Sequence, residues 1–335
     1  MKKKYFTGPF EPMCKLFLAE KRATGVAYAS GEKRLRQFDD FCKDYTIENY
    51  VITEELMMDY CARRPNESDN ARRDRLYVVA SFAKFLVRQG YDSYILHELP
   101  KRRSSHKPYI FTKDELRAFF ERLDTIKPSN HSTGYMVFPI LFRVLYGCGL
   151  RIHEALLLQK CDVDVEKGIL HIRRGKNDRE RITPMSASLT SACQNFIDSA
   201  HNDTPDDAAF FFAKSRVAYT RSAVNRQFRN LLWDIGIPYL GSKAGPRVHD
   251  VRHTFICHNM QRWAEQGIPI HSKLSILSKY VGHTSVSATQ WYLRLTAEVF
   301  PHIREICERE LSGIYNGILD EPLDFGDGED GEDFE

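Results

Sequence analysis

From Ser68 to Gly90 the chain reads as one uninterrupted amphipathic helix, and that pattern constrains what can surround it. Leu76, Val79, Ala83 and Leu86 recur at helical spacing in ARRDRLYVVASFAKFLVRQG, so one apolar stripe runs down the segment. Ser68 offers an N-cap oxygen, and Gly90 is a natural C-terminal stop. Such a stripe needs a partner surface. Three upstream segments, FEPMCKLFLAEKRATG, ASGEKRLRQFDDFCKDY and TEELMMDYCARR, read as further helices. Together they predict a small helical bundle over residues 1–99.

Composition changes at LPKRRSSHKPYIFT, where Pro100, Pro108 and clustered Lys and Arg predict a basic linker over 100–111. Thr112 and Glu115 then form a capping-box pattern that opens a second region, 112–318. That region is mostly helical, with one interruption. GILHIRRGKNDRERITPM carries β-branched residues on both sides of a Gly-Lys-Asn-Asp turn and predicts a β-hairpin with Lys176 in its turn. The expected fold class is therefore mainly α with a small β element, in two domains.

The longest apolar runs, such as MVFPILF from Met136, are far shorter than a membrane span. The start MKKKYFTGPFEP is basic but has no apolar core, so no signal peptide is expected and the cytoplasm is the expected compartment. Eight cysteines are scattered without C-x-x-C spacing, which predicts buried thiols instead of a zinc ribbon or redox pair.

The net charge of +3 conceals an uneven distribution. Nine of the 45 acidic residues lie between Asp320 and Glu335, where no Lys or Arg occurs. Residues 1–319 keep 48 basic side chains against 36 acidic ones, a net of +12. A body with that excess favours a polyanionic partner, because Lys and Arg displace condensed counterions from phosphates. The acidic segment 319–335 has little to bury and is expected to be disordered.

Several chemistries are excluded by their missing motifs. GCGLRI begins like a dinucleotide fingerprint, but Ile152 stands at its third glycine position. There is no Walker A loop and no G-x-S-x-G elbow. HDVRH places His249 and His253 at i and i+4 with an acid between, as in zinc proteases. Asp250 is shorter than the glutamate such chemistry uses, and no third ligand is evident, so no metal is expected. Arg252 in the same stretch has a planar fork of donors that matches two phosphate oxygens. Arg151 follows Gly147 and Gly149, which are expected to break one helix, and begins the next. A cation at a helix N-terminus is unfavourable by itself, so an anion is expected nearby.

Arg151 in GLRIHEAL, Lys176 in the hairpin, His249-x-x-Arg252, His283 in VGH and Tyr292 in WYLRLT occur in one order. That order resembles the tyrosine recombinase (phage integrase) family over roughly residues 110–300. The helical region before it resembles the family's SAM-like core-binding domain. His153 and Cys148 stand where the family more often has Ser or Gly and Thr. The 31 residues from Arg252 to His283 resemble integrases of mobile elements.

The resemblance implies a site-specific recombinase working without cofactor, ATP or metal. Tyr292 would attack a DNA phosphodiester to leave a 3'-phosphotyrosyl bond and a free 5'-hydroxyl. Arg151 and Arg252 would clamp the non-bridging oxygens, with His283 adding a hydrogen bond there. Lys176 would protonate the leaving oxygen, and His249 would assist proton transfer at Tyr292. Partners implied are double-stranded DNA and further protomers in a tetrameric synapse, with companion recombinases as an open option. Type IB topoisomerase-like relaxation and an idle DNA-binding accessory protein are the alternatives. After the nucleophile, Val299, Ile303, Ile306 and Leu311 lie near helical spacing, and the resemblance favours docking of that helix on a neighbouring protomer.

Overall fold

In a computed structural model, the structure describes residues 5–25, 28–100, 108–173, 180–241, 245–283, 291–293, 295–296 and 300. The Gly-Lys-Asn-Asp turn with Lys176, the linker cluster at 101–107, the post-nucleophile stripe and the acidic segment lie outside them. The chain divides into two compact units, residues 1–103 and 104–335.

The first unit holds α1 (Glu11–Ala23), α2 (Ala29–Phe41), α3 (Glu54–Cys61) and α4 (Asp69–Arg88). Ser68 Oγ accepts the Ala71 N–H and so caps α4, as its position in the sequence predicts. Phe82 on α4 meets Phe10, Phe17 and Phe38 at ring separations of 5.8, 5.5 and 6.3 Å, all edge-on. Each such buried ring contributes roughly 1.5–3 kcal/mol relative to exposure. One feature of the unit has no periodic signature. Arg75 is buried on α4, grips Glu67 through Nε and Nη2 at 2.7 and 2.8 Å, and donates to the carbonyls of Tyr60 and Ala62. A single guanidinium thus closes the α3–α4 connection.

The second unit begins with α5 (Lys113–Asp124), α6 (Gly134–Cys148) and the short α7 (Ile152–Leu157). Thr112 and Glu115 form the full capping box at α5, each side chain accepting the other's backbone N–H. A three-stranded antiparallel sheet follows, ordered β1 (Val163–Asp164), β2 (Ile169–Ile172), β3 (Arg181–Pro184). The sequence pattern predicts β2 and β3 but not β1, which is two residues long and has no period to read. Next come α8 (Ala187–Ala200), α9 (Arg221–Asp234), α10 (Val248–Glu265) and α11 (Ile270–Val281). Their apolar faces enclose a core in which Phe119, Phe142 and Phe228 pack ring against ring at 5.2–5.6 Å. Of the seven described cysteines, all are free thiols; five are buried, Cys61 is half-buried and Cys161 is exposed.

The break before Arg151 differs from expectation in one respect. Gly147 is still helical, and a Cβ there would only touch the Leu189 side chain. Gly149 alone ends α6, as a left-handed C-cap with φ +58°. A Cβ at Gly149 would come within 2.5 Å of the Phe255 ring on α10. Gly149→Ala is therefore expected to destabilise the unit by roughly 2–4 kcal/mol, from left-handed strain plus displacement of that ring. The corresponding loss in Tm is about 10 °C, readable by calorimetry. An unchanged Tm would mean that the turn relaxes without cost.

Candidate active site

The site is built where the end of α11 meets the α6–α7 junction. Arg252 lies one turn into α10 and is 1 % exposed. Its Nη1 donates to the carbonyls of Gly149 and Val281 at 2.7 and 2.8 Å. Arg151, the N-cap of α7, donates through Nη1 and Nη2 to the Gly282 carbonyl at 3.2 and 3.3 Å. Both guanidinium groups thus meet carbonyls at the C-terminus of α11, where the helix dipole is negative and a cation is stabilised. Gly282 is itself a left-handed C-cap at φ +75°, and its missing Cβ leaves room for Arg181, whose Nη1 would stand 2.7 Å away.

The anion expected beside Arg151 is intramolecular. Glu154, in the first turn of α7, is 3 % exposed and accepts the Arg151 backbone N–H at 3.1 Å and its Nη1 at 3.0 Å. Arg181 on β3 grips the same carboxylate in a fork, at 2.9 and 2.7 Å, and donates Nε to the Tyr280 carbonyl at 3.2 Å. Burial alone would raise the Glu154 pKa. The hydrogen bond and charge of Arg181, with the charges of Arg252 and Arg151, outweigh it and bring the value to about 2. Glu154 therefore stays ionised near neutrality and fixes two arginines at once. Sequence reasoning missed both Glu154 and Arg181. Glu154 had a signal, since an acid three residues after a helix start can cap it.

His283 directly follows Gly282, and its backbone N–H closes α11 on the Ser278 carbonyl at 2.9 Å. Its ring stacks on Tyr292 with centroids 5.8 Å apart and planes 12° apart. Tyr292 lies in the helical stretch 291–293 and is 2 % exposed. Trp291 meets it edge-on at 4.9 Å. The Tyr292 hydroxyl lies 2.7 Å from Nδ1 of His253. His249 packs edge-on against His253, 4.6 Å between centroids, one helical turn before it on α10. Five of the six residues singled out from the sequence, Arg151, His249, Arg252, His283 and Tyr292, are thus linked through α10 and the segment that ends α11. Lys176 lies outside the described residues, though β3, which follows its turn, is tied to the site through Arg181.

His253 was missed as a partner of Tyr292. Its spacing from His249 was visible, but i, i+4 histidines suggest a metal pair more readily than a hydrogen bond to a tyrosine 39 residues away. Among the described residues no three His, Cys, Asp or Glu side chains gather in a group that could hold a metal ion. No helix among them is long and apolar enough to cross a membrane.

Comparison with known proteins places the chain in a class. The phage integrase family model matches residues 110–298, more than half the chain, and the chain belongs to that family. It is a tyrosine recombinase, an enzyme that breaks and rejoins DNA strands. A putative integrase/recombinase, y4rB of Sinorhizobium fredii, is 26 % identical over 302 residues, 88 % of this chain and 95 % of that protein. Tyrosine recombinase XerA of Pyrococcus furiosus is 28 % identical over 282 residues, 82 % and 87 % of the two chains. Among solved structures, XerH recombinase bound to a palindromic difH substrate superimposes with a TM-score of 0.59 at 18 % identity, covering 83 % of this chain and 78 % of that one. The Tn1549 transposon integrase in complex with a circular intermediate DNA gives 0.59 at 16 % identity, covering 84 % and 94 %. These two likenesses show the fold.

Proposed function

We propose that the chain recombines duplex DNA at specific sites, with Tyr292 as nucleophile, and that its natural task is integration or excision of a mobile genetic element. The observation that carries this reading is the convergence of Arg151, Arg252 and His283 with Tyr292 around the end of α11, from segments more than 100 residues apart. Arg151 and Arg252 are permanent cations with planar donor forks, suited to the non-bridging oxygens where negative charge grows as phosphorus is attacked. His283, which stacks on Tyr292, adds a donor to the same phosphate. Lys176 is the acid that protonates the departing 5'-oxygen. His249 acts through its contact with His253. Opposing chemistry conserves the bond energy, because a 5'-hydroxyl from another strand can attack the phosphotyrosine and restore a phosphodiester.

The charge excess of the body over residues 1–319 supports a DNA partner, and the names of the integrase and recombinase relatives support the mobile-element task. Exchange between two sites needs several protomers, so the working form is a homo-oligomer on DNA, a tetramer across two sites, with companion recombinases where the element supplies them. Its compartment is the one that holds the DNA, the cytoplasm. The first 99 residues are the core-DNA-binding domain and residues 112–318 the catalytic domain, joined by the basic linker at 100–111.

The test is covalent trapping on nicked suicide duplexes carrying the ends of the element that encodes the chain, with excess EDTA throughout. A protein–DNA adduct that survives denaturation and leaves a free 5'-hydroxyl is expected, at an undiminished rate in chelator. A 5'-linked adduct, or activity lost in EDTA and restored by a divalent metal, would overturn the reading.

A further inference from the structure

His253 lies within hydrogen-bond reach of the Tyr292 hydroxyl. Its Nδ1 stands 2.7 Å from the Tyr292 hydroxyl, an ordinary hydrogen-bond separation for a hydroxyl donor, while the two rings lie 5.5 Å apart and tilted by 37°. Trp291 covers the pair at 6.0 Å from the His253 ring and 4.9 Å from the Tyr292 ring. Helical spacing puts His253 one turn beyond His249 on the same face of α10, so His249 meets the flank of the His253 ring. The resemblance placed His249 at the proton of Tyr292. In the structure His253 contacts both.

We propose that His253 is a catalytic residue, the base that takes the phenolic proton from Tyr292 as the strand is cut. The assignment rests on Tyr292 being the nucleophile. In the tautomer protonated at Nε2, the Nδ1 lone pair faces the hydroxyl and can accept its proton. As Oη forms its bond to phosphorus, the proton passes to Nδ1. The bond from phosphorus to the 5'-oxygen breaks, and that oxygen leaves with a proton from Lys176. Rejoining runs the same transfers backwards. The attacking 5'-hydroxyl gives its proton to Lys176, and Tyr292 recovers its own from His253. His249 holds the orientation of the His253 ring and is a positioning residue.

A tyrosine has a pKa of about 10, so an acceptor already in hydrogen-bond contact removes the need for free phenolate in solution. The same contact gives the hydroxyl of the buried Tyr292 an acceptor for its proton. The proton has a destination before DNA arrives.

The experiment is single-turnover cleavage of a suicide duplex by the full chain, with wild type, Tyr292→Phe, His253→Ala and His253→Gln side by side. Gel shift and Tm are measured on each. Glutamine can keep a hydrogen bond to the hydroxyl but cannot take its proton near neutrality. Both His253 variants are expected to cleave at least about 100-fold more slowly, with DNA binding within about threefold of wild type. Added imidazole should restore at least tenfold in His253→Ala and nothing in Tyr292→Phe. Cleavage by His253→Gln within about fivefold of wild type overturns the proposal, since a hydrogen bond would then suffice. Rate loss in His253→Ala without imidazole rescue, while His253→Gln is unimpaired, does the same. Failure of the strand-cleavage reading looks different: the wild type forms no adduct, or Tyr292→Phe forms one.

Discussion

Tyr292→Phe is expected to abolish formation of the covalent DNA adduct, by at least about 10⁴-fold, while the protein stays folded and binds its site. The substitution removes one oxygen from a ring that is 2 % exposed, stacked on His283 and met edge-on by Trp291. Those ring contacts survive the change. The hydrogen bond to His253 is lost, worth about 1 kcal/mol of stability. Packing within the α10–α11 cluster, where Leu293 and Leu295 are buried beside it, is untouched. Binding and chemistry should therefore separate cleanly. Gel shift on an intact site should match wild type within about threefold, and trapping on a nicked duplex should show nothing above background. Undiminished trapping would remove Tyr292 from the centre of the mechanism.

Much of this molecule is legible in the sequence because much of it is local. The stripe from Leu76 to Leu86, the Ser68 cap and the Thr112–Glu115 box each depend on residues a few positions apart, and each appears in the structure. The order from Arg151 to Tyr292 stands out for another reason, since the proposed chemistry calls for those residue types in that sequence. What escapes is what depends on backbone carbonyls. Arg252 binds the carbonyls of Gly149 and Val281, 103 and 29 residues away, and a carbonyl has no letter in the sequence. Arg181 is similar. Nothing in RERITP shows that this arginine, and not its neighbours, will fork onto Glu154. Gly147 and Gly149 look equivalent as helix breakers, yet only the position with positive φ needs glycine for its backbone.

Glu154 carries the largest expected effect on stability. Its carboxylate is almost wholly buried and joins Arg151 on α7 to Arg181 on β3, while Arg181 continues to the end of α11 through the Tyr280 carbonyl. Replacing a buried pair by apolar groups is often tolerated, but removing one partner strands the other charge. Glu154→Ala strands two guanidinium groups, so a loss of about 3–5 kcal/mol is expected. The pH dependence follows from the same carboxylate. Its folded pKa, about 2, lies below the ordinary glutamate value of about 4.3. The stability it contributes is complete above the unfolded value and is lost as pH falls from there through about 2. The size of that contribution is roughly 3 kcal/mol. Urea unfolding of wild type should therefore show stability falling between about pH 4.5 and pH 2 with a component that Glu154→Gln lacks. Glu154→Gln should also cleave DNA poorly even where it is folded, because a neutral amide cannot hold Arg151 and Arg181 with the same force. If the pH profiles of wild type and Glu154→Gln coincide, the carboxylate is not the anchor of the two arginines, and their placement must come from the α11 carbonyls alone.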